Sequence, residues 1–570
     1  MRKRWSGLFA AIALTAACRP SDPPAEDAVL RIAIHTEPQT WNRLLAPDRV
    51  SHLITDQLHE PLLRLNPETQ KMEPALAESW EFSEDGTRLV FHLRTGVRFS
   101  DGEPFGAEDV AFTFEALYEP STGSPLLETA QMDGKDFGVQ VIDPSTVAFT
   151  LPRRTAVVER VFDSIAILPS HVLKESLHRR TLAADTGLGA EVRNIVGLGP
   201  FVLAEHLPGE RIVLERNPHY WKSEGGRIPR LDRLVFEIVP DENARILRFR
   251  SGEIDLLELL TPDSFEMLHG EKSSDRHLID LGPGLLSERL WFNLGPKAPI
   301  EEHKRRWFAD VRFRRAISLA LDRRAMARVV FSGRATPAAG PVSPANSFWH
   351  DESLQEAAYD PAGARMLLSR AGFVWDEQGR LRDGEGREVS FTVLTNAGNE
   401  SHARMGAFIQ EDLAKIGIHA PTAVIEASSL LARITGTFDY EACLLGITQT
   451  DPDPSAEMAL WLSRAPLHLW NPRQTTPATA WEARIDELME RQMGELDSEE
   501  RRATYFEVQR IVHEQLPVLD LVVPHALLGA RHRISNLRPT PFAHALWNGE
   551  ELSIGDGGEQ VTREIRDSRH

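Results

Sequence analysis

The segment from Pro74 to Tyr118 changes its apolar period once, and this change constrains the fold more than any other stretch of the chain. From Arg88 to Arg94 every second residue is apolar, which is the period of a half-buried strand. After Pro104 the apolar residues recur at helical spacing, and two acidic residues stand in the first turn, where the helix dipole favours them. Asp-Gly pairs at 85–86 and 101–102 predict turns. The segment therefore predicts a strand–strand–helix unit.

The same two periods predict further elements along the chain. We expect strands at 29–34, 139–151, 212–214, 391–393 and 518–523. We expect helices at 316–321, 322–333, 360–371, 405–416 and 505–516, and a helix that runs into an extended segment at 53–65. Because strands are followed by helices, the sequence favours α/β layering.

Length and charge limit the class of protein. A chain of 570 residues is too long for one compact core, and its 42% apolar and 26% charged residues are ordinary for a soluble globular protein. Its 84 acidic and 64 basic residues give a net charge of −20. Nucleic acid and anionic lipid are therefore poor partners for the body of the protein, because phosphate binding needs clustered cations. The arginines from Arg312 to Arg328 flank an apolar stripe, which predicts a solvated helix face.

The first residues have the three parts of an export signal. Basic residues precede an apolar run from Leu8 to Leu14, and small residues stand directly before Cys18. This pattern is similar to a lipoprotein cleavage box. We therefore expect a signal peptide at 1–18, lipidation of Cys18 and a polar, proline-rich tether at 19–27. The other cysteine, Cys443, is expected to be a buried core residue.

No pattern in the sequence predicts catalytic chemistry or a bound metal. There is no Gly-x-Ser-x-Gly elbow, and His513-Glu514 lacks the second histidine of a zinc-protease motif, since Pro517 stands in its place. His525 and His532 have no neighbouring cysteines or carboxylates at metal-ligand spacing. We expect a protein that is not an enzyme and that needs no metal or cofactor.

Several groups of residues at fixed spacing resemble one family, the bacterial extracellular solute-binding proteins of family 5. That family contains the oligopeptide, dipeptide and nickel-complex receptors of ABC importers. The groups are Glu78-Ser79-Trp80, Glu84-Asp85-Gly86, Leu93-Arg94-x-Gly96-Val97, Phe99-Ser100-Asp101-Gly102, Ala107-Glu108-Asp109-Val110, Val196-Gly197-Leu198-Gly199-Pro200-Phe201, Asn217-Pro218-x-Tyr220-Trp221 and Phe249-Arg250-Ser251-Gly252-Glu253-Ile254-Asp255. The resemblance covers nearly the whole chain after the signal peptide.

The resemblance implies an α/β, three-lobed periplasmic-binding-protein-like fold (type II, cluster C), with a ligand cleft between two main lobes. The lobes are expected as follows: lobe I at 28–60, 195–285 and 516–554, a satellite lobe at 61–194, lobe II at 286–515, and a disordered tail at 555–570. The chain then crosses between lobes I and II more than once. Such crossings make a hinge that can close over a solute.

The resemblance also implies a lipid-anchored, substrate-binding protein of an ABC importer, in the periplasm or otherwise outside the cytoplasm. Its expected partners are a small solute and the permease subunits of the importer, with a membrane contact through the lipid only and no nucleic acid. The chain is expected to be a monomer. Two other hypotheses stay open: the same fold used for sensing or peptide chaperoning, and an envelope hydrolase whose site is not recognised.

The positions of the cleft are implied by the resemblance to the peptide receptors. Arg49, Val50 and Ser51 are expected along one wall, and Asn396 and Ser401 along the other. A third segment is expected across the end of the cleft, and it contains Gly446, Ile447, Thr448, Gln449, Thr450, Asp451 and Asp453.

The end segment bears on the kind of solute. The peptide receptors place an aspartate that pairs with the peptide ammonium four residues before a matched proline, here Pro454, and that position is Thr450. Asp451 or Asp453 is expected to substitute, although a simple turn also explains the two Asp-Pro steps. We predict a peptide or another amine-bearing solute, with an uncharged solute such as an oligosaccharide as the alternative.

Overall fold

The computed structural model describes residues 28–223, 228–271, 273–449 and 451–555. The predicted signal peptide, Cys18, the tether, Thr450 and residues 556–570 of the predicted tail lie outside the described residues. Within these ranges no helix is long and apolar enough to cross a membrane.

The strands in the described residues are numbered along the chain. They are β1 (Val29–Ile34), β2 (Leu63–Leu65), β3 (Met72–Pro74), β4 (Ala77–Phe82), β5 (Arg88–Leu93), β6 (Gln131–Met132), β7 (Lys135–Asp136), β8 (Gly138–Asp143), β9 (Thr146–Thr150), β10 (Phe201–Leu207), β11 (Arg211–Arg216), β12 (Arg233–Ile238), β13 (Leu256–Leu257), β14 (Arg276–Pro283), β15 (Leu286–Phe292), β16 (Ala335–Pro337), β17 (Val374–Trp375), β18 (Leu381–Arg382), β19 (Val393–Asn396), β20 (Thr422–Ile425), β21 (Ala442–Thr448), β22 (Val518–Arg531), β23 (Ile534–Ser535) and β24 (Ser553–Ile554).

The α-helices are numbered in the same way. They are α1 (Arg49–Leu58), α2 (Ala107–Tyr118), α3 (Val158–Ser164), α4 (Ser170–His178), α5 (Leu182–Asp185), α6 (Glu242–Ser251), α7 (Pro262–His269), α8 (Glu302–Ala309), α9 (Val311–Ala320), α10 (Arg323–Val330), α11 (Pro361–Arg370), α12 (Glu400–Lys415), α13 (Ala427–Ala432), α14 (Met458–Trp461), α15 (Ala480–Gly494) and α16 (Ser498–Gln515).

One sheet runs through the two parts of the chain that the resemblance assigns to lobes I and II, and these names are kept below for the predicted ranges. Its strand order is β10-β11-β12-β1-β13-β22-β15-β21-β19-β20, and β14 and β16 also pair with β22. The first part of β22 pairs with β15 and β16 of lobe II, and its last part pairs with β13 and β14 of lobe I. The chain therefore crosses between the lobes through β14 and β15 in one direction and through β22 in the other. The predicted boundary at residue 516 falls just before this shared strand.

The segment from Pro74 to Tyr118 lies in the part of the chain that is predicted to be the satellite lobe. Its antiparallel sheet has the order β4-β5-β9-β8. The alternating apolar residues of β5 are buried, as their period predicts, and they pack with α2. The predicted single strand at 139–151 is wrong. It is a hairpin of β8 and β9, because Asp143, Pro144 and Ser145 form a turn in which Asp143 Oδ1 accepts the Ser145 N–H at 2.8 Å.

The prediction of a solvated arginine face on α9 and α10 is wrong for two of its members. Arg314 and Arg323 are buried. Arg314 donates to the carbonyl oxygens of Phe308 (2.6 Å) and Gln515 (2.7 Å), and Arg323 donates to those of Ser318 and Asp520, both at 2.9 Å. Burial lowers the pKa of both guanidiniums to about 10. Arg314 therefore links α9 to the end of α16, and Arg323 links α10 to β22.

The sheet of lobe II is covered by apolar side chains on both faces. One face packs against α9 and α12 through Phe292, Phe313 and Ile409. The other packs against α14 and α16 through Trp461 and Tyr505. Cys443 is buried within this second core, as predicted, and burial raises the pKa of its thiol. Because helices cover both faces of this sheet, a ligand can contact it only at the strand ends.

Candidate functional site

The carboxyl ends of the parallel strands in both lobes point towards the hinge. In lobe I, β1 is parallel to β12 and β13, and just beyond β13 the Leu260 N–H donates to the Leu527 carbonyl oxygen of β22 at 3.0 Å. In lobe II, β19 is parallel to β20 and β21, and Thr448 at the end of β21 is paired with Leu286, next to the crossing. Ligands of open α/β sheets bind outside the carboxyl ends of the strands. These two edges are therefore the candidate walls of a ligand cleft.

The three residues predicted on the lobe I wall form the first turn of α1. The Asp48 side chain caps this helix by accepting the N–H groups of Val50 and Ser51, both at 3.0 Å. Val50 and Ser51 are buried in lobe I. Arg49 keeps an exposed side chain, 3.5 Å from Glu258. Of the three predicted residues, Arg49 alone has an exposed side chain.

The lobe II wall contains a chain of polar side chains at the ends of β19 and α12. Asn396 Oδ1 lies 2.6 Å from His402 Nδ1, and His402 Nε2 lies 2.9 Å from Glu288 Oε2. Glu288 and His402 are buried, while Asn396 and Ser401 are partly exposed. The sequence analysis missed Glu288 and His402. The available signal was the pair of charged residues, Glu288 and Arg289, inside the apolar strand β15.

The strand β21 has a free edge where it enters the cleft. Its pairing with β19 ends at Leu394 and Cys443, although β21 continues to Thr448. In the described residues, the stretch from Gly446 to Thr448 pairs on one side only, with β15. A side chain at Gly446 would place its Cβ 2.7 Å from Leu286 Cδ1 and 3.1 Å from Glu288 Oε2, so the Leu286 side chain would have to shift. Ile447 is half-buried and Thr448 is exposed.

The two aspartates at the end of the cleft already have cationic partners. Asp451 Oδ1 accepts from Arg160 Nη1 of the satellite lobe and from the Asp453 N–H, both at 2.7 Å. Asp453 accepts two bonds from Arg501, both at 2.8 Å. Burial raises the pKa of Asp451. Burial has the same effect on Asp453, but the hydrogen bonds and charge of Arg501 outweigh it and lower the pKa of that carboxyl. A solute ammonium at Asp451 would share this carboxylate with Arg160.

Two buried amides flank the same segment. Gln449 donates its backbone N–H to the Leu285 carbonyl oxygen at 2.9 Å, and Asn346 Nδ2 donates to the Pro452 carbonyl oxygen at 2.7 Å. Gln449 Oε1 and Asn346 Oδ1 are buried and have no donor among the described residues. The sequence analysis missed Asn346, Arg160 and Arg501. No local pattern could identify them, since Arg160 is 291 residues from Asp451 along the chain.

Lobes I and II also touch on the α7 side of the hinge. Arg404 of α12 lies 3.0 Å from Asp263 of α7. Arg334, just before β16, lies 2.6 Å from Glu266 of α7 and 2.8 Å from Asp280 of β14. Ion pairs from lobe II therefore reach both α7 of lobe I and α3 of the satellite lobe.

The histidines that were considered as metal ligands have other neighbours. His525 Nδ1 lies 2.9 Å from Asp280 Oδ1, and the ring of His532 lies against that of His277, with centroids 3.6 Å apart. Across the part of the chain that is described, no group of three or more histidine, cysteine, aspartate or glutamate side chains could hold a metal ion.

The chain is similar to proteins of one known family. A model described as "Bacterial extracellular solute-binding proteins, family 5 Middle" matches residues 71–467. Heme-binding protein A of Haemophilus influenzae is 28% identical over 516 residues, which cover 87% of this chain and 87% of the relative. Di/tripeptide-binding protein 1 of Pseudomonas aeruginosa is 27% identical over 503 residues, which cover 85% of this chain and 86% of the relative.

A solved structure shares the fold. The oligopeptide-binding protein AppA of Bacillus subtilis, in complex with a nonapeptide, matches with a TM-score of 0.70 and 24% identity, covering 92% of this chain and 99% of that chain. The predicted fold class, an α/β periplasmic-binding-protein-like fold, is confirmed.

Proposed function

Because the chain belongs to the bacterial extracellular solute-binding proteins of family 5, which serve ABC importers for peptides, nickel complexes or other solutes, we propose that it captures a peptide or another amine-bearing solute between lobes I and II. The closed protein would then deliver the solute to the permease subunits. Members of this family are solute-binding proteins of transporters and not enzymes, so the hydrolase hypothesis is set aside.

The observation that carries this proposal is the free edge of β21. Gln449 directs its N–H to Leu285, and alternate residues of a strand direct their N–H groups to opposite sides. The N–H groups of Gly446 and Thr448 therefore point away from β15, towards the unpaired side. An extended peptide adds to such an edge as a further strand, with main-chain hydrogen bonds. A sugar offers no regular row of amide donors and acceptors.

The end of this edge is rich in acceptors, which favours an amine on the solute. Asn346 Oδ1 and Gln449 Oε1 are buried without a donor in the described part of the chain, and Asp451 supplies a partly exposed carboxylate. An ammonium carries three N–H donors. A hydrogen bond between charged groups is also roughly twice as strong as a neutral one. The di/tripeptide-binding relative is consistent with this reasoning.

The test is calorimetry with an equimolar tripeptide library, in free and N-acetylated forms. We expect the free form to bind about tenfold more tightly, the lower end for a hydrogen bond to a charged group, because Arg160 shares the carboxylate. Asp451→Asn should remove most of this difference. Asp439→Asn, at an exposed carboxylate of lobe II, is the matched control and should keep it.

An uncharged solute is the second candidate, and one observation favours it. Asp451 and Asp453 both have arginine partners already, so the cleft can close without a solute ammonium. Equal affinity of the two library forms for the native protein, or binding of neither, would contradict the amine proposal and favour this alternative.

We also propose that the mature chain is anchored by a lipid on Cys18, on the support of the signal pattern before it. Cys18→Ser should move the protein from the membrane fraction to the soluble fraction. Cys443→Ala, at the second cysteine, should stay with the membrane. Membrane retention of the Cys18→Ser variant would contradict the anchor.

A further inference from the structure

Arg160 joins the satellite lobe to lobe II across the end of the cleft. From α3 it contacts Asp451 at 2.7 Å, and its Nε lies 3.8 Å from Asp453 Oδ2. The Arg160 and Asp451 side chains are only 19% and 28% exposed. The segment before α3 makes its own contact with lobe II, since the Thr155 hydroxyl and the Ala156 N–H both donate to the Met493 carbonyl oxygen, at 3.3 and 3.0 Å. The segment that leads into α3 is therefore joined to lobe II by these two hydrogen bonds as well as by the Arg160 ion pair.

The two aspartates depend on Arg160 to different degrees. Asp453 has a bidentate partner in Arg501. For Asp451, Arg160 is the cation within hydrogen-bond distance in the described ranges. Asp163, also on α3, adds a third carboxyl. Burial and the charge of Asp451 raise the pKa of Asp163, to about 6. Arg160 is therefore the counter-ion that Asp451 needs when no solute cation is present.

We propose that Arg160 is a specificity-determining residue that sets how strongly the cleft prefers a solute with a free amine, an inference that rests on the function proposed above. With Arg160 in place, a solute ammonium gains only a share of the Asp451 carboxylate. Without Arg160, no arginine within hydrogen-bond distance in the described ranges competes with the ammonium for the Asp451 carboxylate. A solute whose amine is blocked leaves the Arg160–Asp451 pair intact. Arg160 therefore lets the cleft tolerate blocked or uncharged solute ends that Asp451 alone would exclude.

The experiment compares full-length native protein with Arg160→Met, which keeps much of the aliphatic length and removes the charge. The probe is the equimolar tripeptide library in free and N-acetylated forms, and the measured quantity is the ratio of the two affinities by calorimetry. We expect this ratio to rise about tenfold in Arg160→Met, the effect of removing one partly screened charge at contact distance. Arg160→Lys restores the charge and should return the ratio towards the native value.

Arg153→Met is the matched control. Arg153 lies in the same lobe, in an exposed pair with Asp133 at 3.2 Å, and its removal should leave the ratio unchanged. Arg160→Gln provides the same comparison if Arg160→Met does not fold. If Arg160→Met or Arg160→Gln binds both library forms, and its ratio of affinities for the free and N-acetylated forms is no higher than that of the native protein, this inference alone is overturned. Failure of the native protein to bind either form overturns the proposed peptide function and this inference together.

Discussion

The buried pair of Asp453 and Arg501 allows a quantitative test of how lobe II is stabilised. The side chains of this pair are 3% and 6% exposed, and two hydrogen bonds of 2.8 Å join them. Arg501 also donates to Gln492 Oε1 at 2.7 Å and to the Gln492 carbonyl oxygen at 3.0 Å. Asp453→Asn keeps the shape of the side chain and removes its charge, so it leaves a buried guanidinium without a counter-ion.

The expected cost follows from these contacts. Breaking a buried ion pair by removing one partner costs about 3 to 5 kcal/mol. Gln492 keeps two of the bonds to Arg501, and the new amide can still accept one, so we expect about 3 kcal/mol. Lobe II at 286–515 has roughly 230 residues, and a unit of that size loses about 2 to 4 °C per kcal/mol. The lobe II transition should therefore fall by about 6 to 12 °C.

Differential scanning calorimetry measures this shift, and Asp451→Asn is the matched control. Asp451 is only two residues away, but its cationic partner lies in the satellite lobe and the pair is partly exposed. Its loss should cost about 1 kcal/mol or less of lobe II stability, a shift of no more than about 4 °C. A shift of less than about 2 °C for Asp453→Asn, or equal shifts for both variants, would refute the reasoning.

Three further predictions follow from other parts of the fold. Arg314→Met should lower the free energy of unfolding by about 3 kcal/mol in urea titrations, because it leaves buried carbonyl oxygens without a hydrogen-bond donor. Arg315→Met, at an exposed neighbour, should cost under about 1 kcal/mol. Equal costs for the two variants would contradict this prediction. The pKa of Asp163 is raised to about 6, so the native state binds the extra proton and stability falls as pH rises from about 4 to 6. Asp163→Asn should remove this fall and be up to about 3 kcal/mol more stable at pH 7, and an unchanged pH profile would contradict it. Solute binding should reduce the radius of gyration in small-angle scattering, since a solute held by both walls favours closure; an unchanged radius at saturation would indicate a rigid surface site.

The sequence by itself determined the elements whose signals are local. The alternation in β5 and the apolar face and acidic first turn of α2 lie within a few residues of each other. The same holds for the Asp322 and Asp360 caps of α10 and α11. A strand or helix period is set by the backbone geometry of consecutive residues, so it can be recognised without knowledge of the fold. The motif spacing also identified the family, while the lobe boundaries that the resemblance implies stay a prediction.

Long-range contacts decided what the local pattern could not. Arg314 and Arg323 have the spacing of solvated residues. They are buried because the carbonyl oxygens of Gln515 and Asp520, about two hundred residues later, accept their hydrogen bonds. A guanidinium is buried only where its donors find acceptors. Those acceptors belong to the end of α16 and to β22, which the sheet brings next to α9 and α10.

The candidate site shows the same division. The resemblance to the peptide receptors predicted cleft positions at Asn396 and from Gly446 to Asp453, and this placement stays a prediction. Only the tertiary structure decided that Val50 and Ser51 are buried, that His402 and Glu288 hold Asn396, and that Asp451 faces an arginine of another lobe. The charge that a carboxylate meets depends on the atoms within a few ångströms of it, and at Asp451 those atoms come from a residue 291 positions away.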